Sequence, residues 1–243
     1  MALVVIAPAV AHAERTPYGW LFGTETLPER GAEMVSWIDE EHGREFPDPA
    51  AGEFQRTTWG WAGYVGVTDQ LLIGLPVEFV WRDSDLSEPS FTWQTYGLEA
   101  RYRFVSGDPG EAVPFAPLAR VAVMRDVTER DAVRVEADLV ASTTTPSGSV
   151  HALVDVGFIG QITPDDKHFE IRPGAGVSFK VAGDFRLGAE GYAELSLDSQ
   201  RKSWAVVGPN LAWTHGRFWL SAAFGIGIYQ IETAPRVQWG IMF

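Results

Sequence analysis

Acidic and basic side chains recur at even spacing in several stretches of this chain: Glu99, Arg101 and Arg103; Arg134, Glu136 and Asp138; Glu170 and Arg172; and, four residues apart, Glu190 and Glu194. In an extended strand alternate residues share a face, so each stretch lays its charges along one side. Glu78, Arg120, Asp155, Lys180, Arg186 and Arg236 occupy comparable positions, and together these residues are the candidate polar lining of an interior. Opposed charges on neighbouring strands can pair directly. Arg120 is expected beside Arg134, Glu136 and Asp138, and the Glu170–Arg172 stretch beside Glu190 and Glu194. Two outcomes follow. Separated rows of opposite sign would set up a transverse field that selects polar solutes. Paired rows would neutralise one another and help fill the interior.

Catalytic chemistry is less well supplied. His12, His42, His151, His168 and His215 scatter over the leader, a loop and strand ends. None presents a nucleophile, base and orienting acid at recognisable spacing. The chain has no cysteine, which excludes disulfides, thiolate metal sites and cysteine nucleophiles. Acid clusters at Asp39-Glu40-Glu41, Asp83 and Asp85, and Asp165-Asp166 suit solvated loops, or cation bridging at an outer rim. The net charge of −13 argues against a nucleic-acid partner, because a run of phosphates would go unneutralised. Hence no residue is assigned to catalysis or metal binding, and neither an enzyme nor a cofactor is expected.

The elements that must carry these charges are strands. Beyond Gly31 the chain shows period two, broken at short intervals by Gly, Pro, Asp and Ser. Twelve strands are expected near 32–40, 55–67, 70–82, 91–105, 114–126, 131–142, 149–162, 167–181, 185–197, 202–214, 217–229 and 234–243, with ten to fourteen the admissible range. The fold class is all-β: a single closed antiparallel up-and-down transmembrane barrel. Closure would pair strand 12 with strand 1 near Ala32–Asp39. Thr68-Asp69-Gln70, Ala182-Gly183-Asp184 and His215-Gly216 are short, as periplasmic turns should be, and Glu41–Phe54 and Asp83–Ser90 read as longer external loops.

The apolar faces are equally regular. Tyr96, Leu98, Ala100, Tyr102 and Phe104 oppose Gly97, Glu99, Arg101 and Arg103, and strands 6, 8 and 9 repeat the arrangement. A soluble sandwich would turn the apolar face inward; a membrane barrel turns it toward lipid. Among ten tryptophans, Trp37, Trp81, Trp93, Trp204, Trp213 and Trp219 lie near expected strand ends, where an interfacial girdle would stand. The last strand sets Val237, Trp239, Ile241 and Phe243 on one face, and a terminal strand ending on an aromatic resembles the signal that outer-membrane barrels present to their insertion machinery. Residues 1–13 read as a signal-peptide remnant ending in Ala11-His12-Ala13, residues 14–30 as a periplasmic N-terminal segment, and 31–243 as the barrel.

Two stretches carry a family likeness. Thr24-Glu25-Thr26-Leu27-Pro28-Glu29-Arg30-Gly31-Ala32-Glu33 and Tyr64-Val65-Gly66-Val67-Thr68-Asp69-Gln70-Leu71-Leu72-Ile73-Gly74-Leu75 resemble the first-strand entry and second hairpin of a broad group of transporter-like bacterial outer-membrane barrels. That group includes proteins of the meta pathway of phenol degradation. The resemblance implies a periplasm-rooted barrel conducting small or hydrophobic molecules, and transfers no binding residues.

The resulting expectation is an outer-membrane protein with both termini periplasmic. Outer-membrane lipids, lipopolysaccharide and the insertion machinery would be its partners, together with a small-molecule solute. It would act as a passive channel through a charged, narrow lumen. The alternative is a structural or adhesive barrel with an occluded lumen and acidic external loops, with an outer-membrane hydrolase the lesser possibility.

Overall fold

The alternating faces close on themselves. In the computed structural model, which describes residues 16–105, 114–128, 131–199 and 201–243, twelve antiparallel strands form one closed barrel in which each strand neighbours the next and β12 returns to β1. The strands are β1 (Ala32–Arg44), β2 (Glu53–Gly66), β3 (Leu71–Ser84), β4 (Ser87–Arg103), β5 (Ala116–Asp126), β6 (Val133–Thr144), β7 (Val150–Ile162), β8 (Lys167–Ala182), β9 (Phe185–Ser196), β10 (Trp204–His215), β11 (Phe218–Tyr229) and β12 (Thr233–Met242). The closing ladder pairs Glu33 with Met242, Trp37 with Gln238 and Asp39 with Arg236. A ring of this kind leaves no edge strand, so backbone groups along the wall are satisfied laterally. Among the described residues no helix is long and apolar enough to cross a membrane.

Outward positions are apolar around the circumference, including Met34, Val65, Leu75, Leu98, Val123, Leu139, Val156, Phe179, Val207 and Ile226, all exposed. Soluble monomers rarely expose continuous apolar surface on this scale. Toward one end Trp59, Trp61, Phe79, Phe91, Trp93 and Tyr96 form a chain of ring contacts on β2–β4. At the other end stand Tyr102, Phe104, Phe179, Trp213 and Phe243. The girdle is therefore only partly composed of the tryptophans expected in it. Trp93 and Trp213 face outward, but Trp37, Trp204 and Trp219 are buried inside the ring at 8%, 3% and 4% exposure. Trp37 lies over Gly60 and Trp219 over Gly240, where a missing Cβ leaves room for the indole. Placement near a strand end does not decide the face; parity along the strand does.

The connections also depart from expectation. The stretch Asp83–Ser90 is no long loop, because β3 and β4 extend to a two-residue turn at Asp85-Leu86. The widest interval between strands separates Arg103 of β4 from Ala116 of β5, and both of those strand ends stand at the end that carries the start of β1 and Phe243. The Asp39-Glu40-Glu41 cluster is not on a rim: β1 runs on to Arg44, and Asp39 and Glu41 are buried inside the ring.

The segment expected to precede the barrel occupies its interior. Residues 16–28 turn back from the start of β1 and enter the ring, with Tyr18, Leu21, Leu27 and Thr24 at 2% exposure or less. They form no ladder with the wall. Residues 1–13, and Glu14 and Arg15 of the expected lead-in, lie outside the described residues.

Candidate lumen and its charged belt

Register decides which inward side chains meet. Across one row, Arg101 is opposite Arg120, Arg120 opposite Asp138, Asp138 opposite Gly157 and Gly157 opposite Arg172. The next row sets Glu99 opposite Ala122, Ala122 opposite Glu136 and Ile159 opposite Glu170. The mostly basic row interlocks diagonally with the acidic one. Arg120 meets Glu99 at 2.7 Å, Glu136 at 2.8 Å and Asp138 at 2.6 Å. Arg101 also holds Glu99, Arg134 holds Glu136, and Arg172 reaches Glu136 and Asp138 at 3.2 and 3.3 Å. That last reach crosses β7, and Gly157 permits it: a Cβ there would stand 2.3 Å from Asp138 Oδ1. Multiple charge-assisted hydrogen bonds of this geometry offset the cost of burying the ions.

The belt answers the question of separated or paired rows. Along β4–β8 the signs pair, as expected for Arg120 with Glu136 and Asp138. Among the described residues no ion pair joins Glu170 or Arg172 to Glu190 or Glu194. Glu170 accepts from His168 Nε2, Arg172 turns the other way, and Glu194 accepts from Tyr192 Oη at 3.0 Å. Glu190 and Asp155 serve the N-terminal segment instead.

That segment is held by named groups. Glu190 accepts from the backbone N–H of Gly19 at 2.7 Å and of Trp20 at 3.2 Å, and Asp155 from that of Phe22 at 3.2 Å. The Trp20 indole N–H donates to the Ala234 carbonyl, its ring stacks on Tyr192 and meets Trp204 edge-on, and the Arg236 guanidinium lies over it. The Phe22 ring lies 4.1 Å from the Arg120 guanidinium carbon, so the segment rests on the belt.

Beside the segment lies a cavity of about 840 Å³. It reaches from the rim, at Glu45, Phe46, Leu86, Ser87, Arg201 and Lys202, down to Glu33, Leu72 and Trp219. Of the charged residues singled out by alternation, Glu78, Glu99, Arg101, Arg120, Arg134, Glu136, Glu170, Arg172, Glu194 and Arg236 line it. Arg103, Asp138, Asp155, Lys180, Arg186 and Glu190 do not. Asp138 is enclosed in the belt, and Arg186 donates to Ser178 and to the Gly148 carbonyl. Lys180 is exposed beyond the cavity. The alternation argument missed Asp39, Glu41, Arg56 and Arg82, all on the cavity wall. Asp39, Arg56 and Arg82 stand at inward parity within the expected strands, and extending β1 past residue 40 adds Glu41, which pairs with Arg56 at 3.0 Å. Among the described residues no group of three or more His, Asp or Glu side chains is arranged to hold a metal ion.

No protein-family model matches the chain, and no curated protein matches it in sequence. Solved structures do. An outer membrane channel from Pseudomonas putida F1 superposes with a TM-score of 0.62 at 11% identity, covering 90% of this chain and 98% of that one. The translocator domain of the autotransporter NalP from Neisseria meningitidis gives 0.58 at 11%, covering 91% of each chain. The NanC porin gives 0.53 at 8%, covering 85% and 98%. At such identities the likeness concerns architecture alone, and that architecture is the closed antiparallel barrel of outer-membrane proteins.

Proposed function

We propose that this protein is an outer-membrane barrel that passes small polar solutes passively, without cofactor or catalysis. The observation that carries the reading is the cavity: about 840 Å³, open at the loop rim and lined by guanidinium and carboxylate groups. A space of that size fits a small molecule, and its polar lining suits one that hydrogen-bonds. The apolar outer face would meet lipid and lipopolysaccharide, with Val237, Trp239, Ile241 and Phe243 presented to the insertion machinery and both termini in the periplasm. Residues 1–13 would act as the export leader. The likeness to the phenol-degradation group of barrels is consistent with a transport role, but the paired charges favour a polar solute over a hydrocarbon.

The occupied interior supports a second reading, a barrel sealed by residues 16–28 that serves as a scaffold. Reconstitution separates the two. Purified, heat-modifiable protein in planar bilayers or liposomes should show small conductance steps and sugar or amino-acid flux above protein-free membranes. Membranes that stay as tight as the blank would refute the channel.

A further inference from the structure

The wall of the lumen carries a groove shaped for a peptide. On β8, Gly174 and Gly176 lack the side chains that would otherwise fill it: a Cβ on the first would meet Leu21 at 2.3 Å, and on the second the Tyr18 ring at 2.4 Å. Opposite, Gly19 approaches β11 so closely that its own Cβ would stand 2.7 Å from Ala223 Cβ. Polar groups along the groove are spent on peptide backbone: Glu190 on two consecutive N–H groups, Asp155 on a third, and Gln238 Nε2 on the Tyr18 carbonyl at 2.7 Å. Neither carboxylate has an ion-pair partner among the described residues. The contacts therefore follow a backbone and an aromatic–Gly–aromatic pattern, not merely a filled volume.

The barrel does not depend on this occupant for closure. β1 is paired with β12 and with β2, and residues 16–28 add no rung to any ladder. We infer that the groove on β7–β9 and β11–β12 is a separable binding site for an extended peptide bearing Tyr-Gly-Trp-Leu-Phe, whose resident ligand is this chain's own Tyr18–Phe22. The covalent tether supplies that ligand at an effective concentration on the order of millimolar, so a site of moderate affinity stays filled. When the resident segment cannot seat, the same groove takes the peptide from solution.

The test uses the full chain with Gly19→Val, a substitution on the segment that leaves every wall residue intact. Heat-modifiable mobility shows that the variant has folded. A fluorescently labelled synthetic peptide of residues 16–28 should bind this barrel saturably, and binding to the unsubstituted chain should be at least tenfold weaker because the tethered copy competes. The peptide carrying Gly19→Val should not bind, and adding Glu190→Gln to the barrel should weaken binding at least tenfold. Absence of saturable binding to the folded Gly19→Val barrel, or equal binding of a scrambled peptide, would overturn the inference. Binding is read without conduction, so a barrel that binds peptide yet passes no current refutes the channel and keeps the site. In bilayers, Gly19→Val should raise conductance severalfold, and added peptide should return it to the starting level.

Discussion

Replacing Glu136 by glutamine tests whether the belt holds the barrel together. Glu136 is 3% exposed and contacts three guanidinium groups, those of Arg134 at 2.6 Å, Arg120 at 2.8 Å and Arg172 at 3.2 Å. The substitution keeps the shape and removes one negative charge. Arg120 retains Glu99 and Asp138, and Arg172 retains Asp138, whereas Arg134 loses its only ion-pair partner among the described residues. With Arg101, Arg120, Arg134 and Arg172 set against Glu99, Glu136 and Asp138, the belt goes from one excess positive charge to two. Breaking a buried pair by removing one partner costs about 3–5 kcal/mol. Two of the three arginines keep a carboxylate, so the expected loss lies at the lower end, about 3 kcal/mol. Urea unfolding of the detergent-folded protein, followed by tryptophan fluorescence with gel mobility as the control for folding, measures it. Adding Arg134→Gln should recover part of the loss, with a coupling energy within the range of about 0.5–3 kcal/mol typical of contacting residues. A loss below about 1 kcal/mol, the scale of exposed pairs, would refute the reasoning and show the belt to be solvated.

Three further outcomes are expected. Leu139→Arg, on the exposed face midway along β6, should cost about 2–4 kcal/mol if that face meets the bilayer core, read as a reduced heat-modifiable fraction after folding into vesicles. An undiminished fraction would argue against lipid at that face. Deleting Phe243 should lower the yield of membrane-inserted protein severalfold while leaving the conductance of the molecules that do assemble unchanged. Burial pushes the Lys202 ammonium at the cavity rim down to about 8, against the opposing pull of Glu41 and Glu45. Its charge is present below that pH and lost above it, so reversal potentials in a KCl gradient should move toward cation preference between pH 7 and 9. Lys202→Met should hold the high-pH value throughout.

Most of the wall was legible residue by residue. Alternation placed Leu98 and Tyr102 outside and Glu99 and Arg101 inside, and located the strands to within a few residues, because a strand's two faces are set by local parity. Trp37, Trp204 and Trp219 misled for an instructive reason. Tryptophan suits an interface in general, but these three sit at inward parity, and glycines on adjacent strands give two of them room. Parity was the stronger evidence and composition the weaker. The interior was less legible. Tyr18, Trp20 and Phe22 alternate over only five residues ahead of the first strand, and nothing local marks them as the contents of the barrel and not an appendage.

What the sequence determined by itself was therefore the set of strands, the two faces of each and the closed antiparallel ring they require. These follow from short-range geometry: side chains alternate, and unpaired backbone is costly. What the tertiary structure alone decided was register and occupancy. Asp138, Gly157 and Arg172 are far apart in the chain, and only the shear of the closed barrel sets them side by side so that an arginine can reach across a glycine to a carboxylate. Likewise, Glu190 and Asp155 read from the sequence as lumen charges. They became ligands for a backbone because the chain before β1 folded inward, where burying Tyr18, Trp20 and Leu21 against the wall removes apolar surface from water.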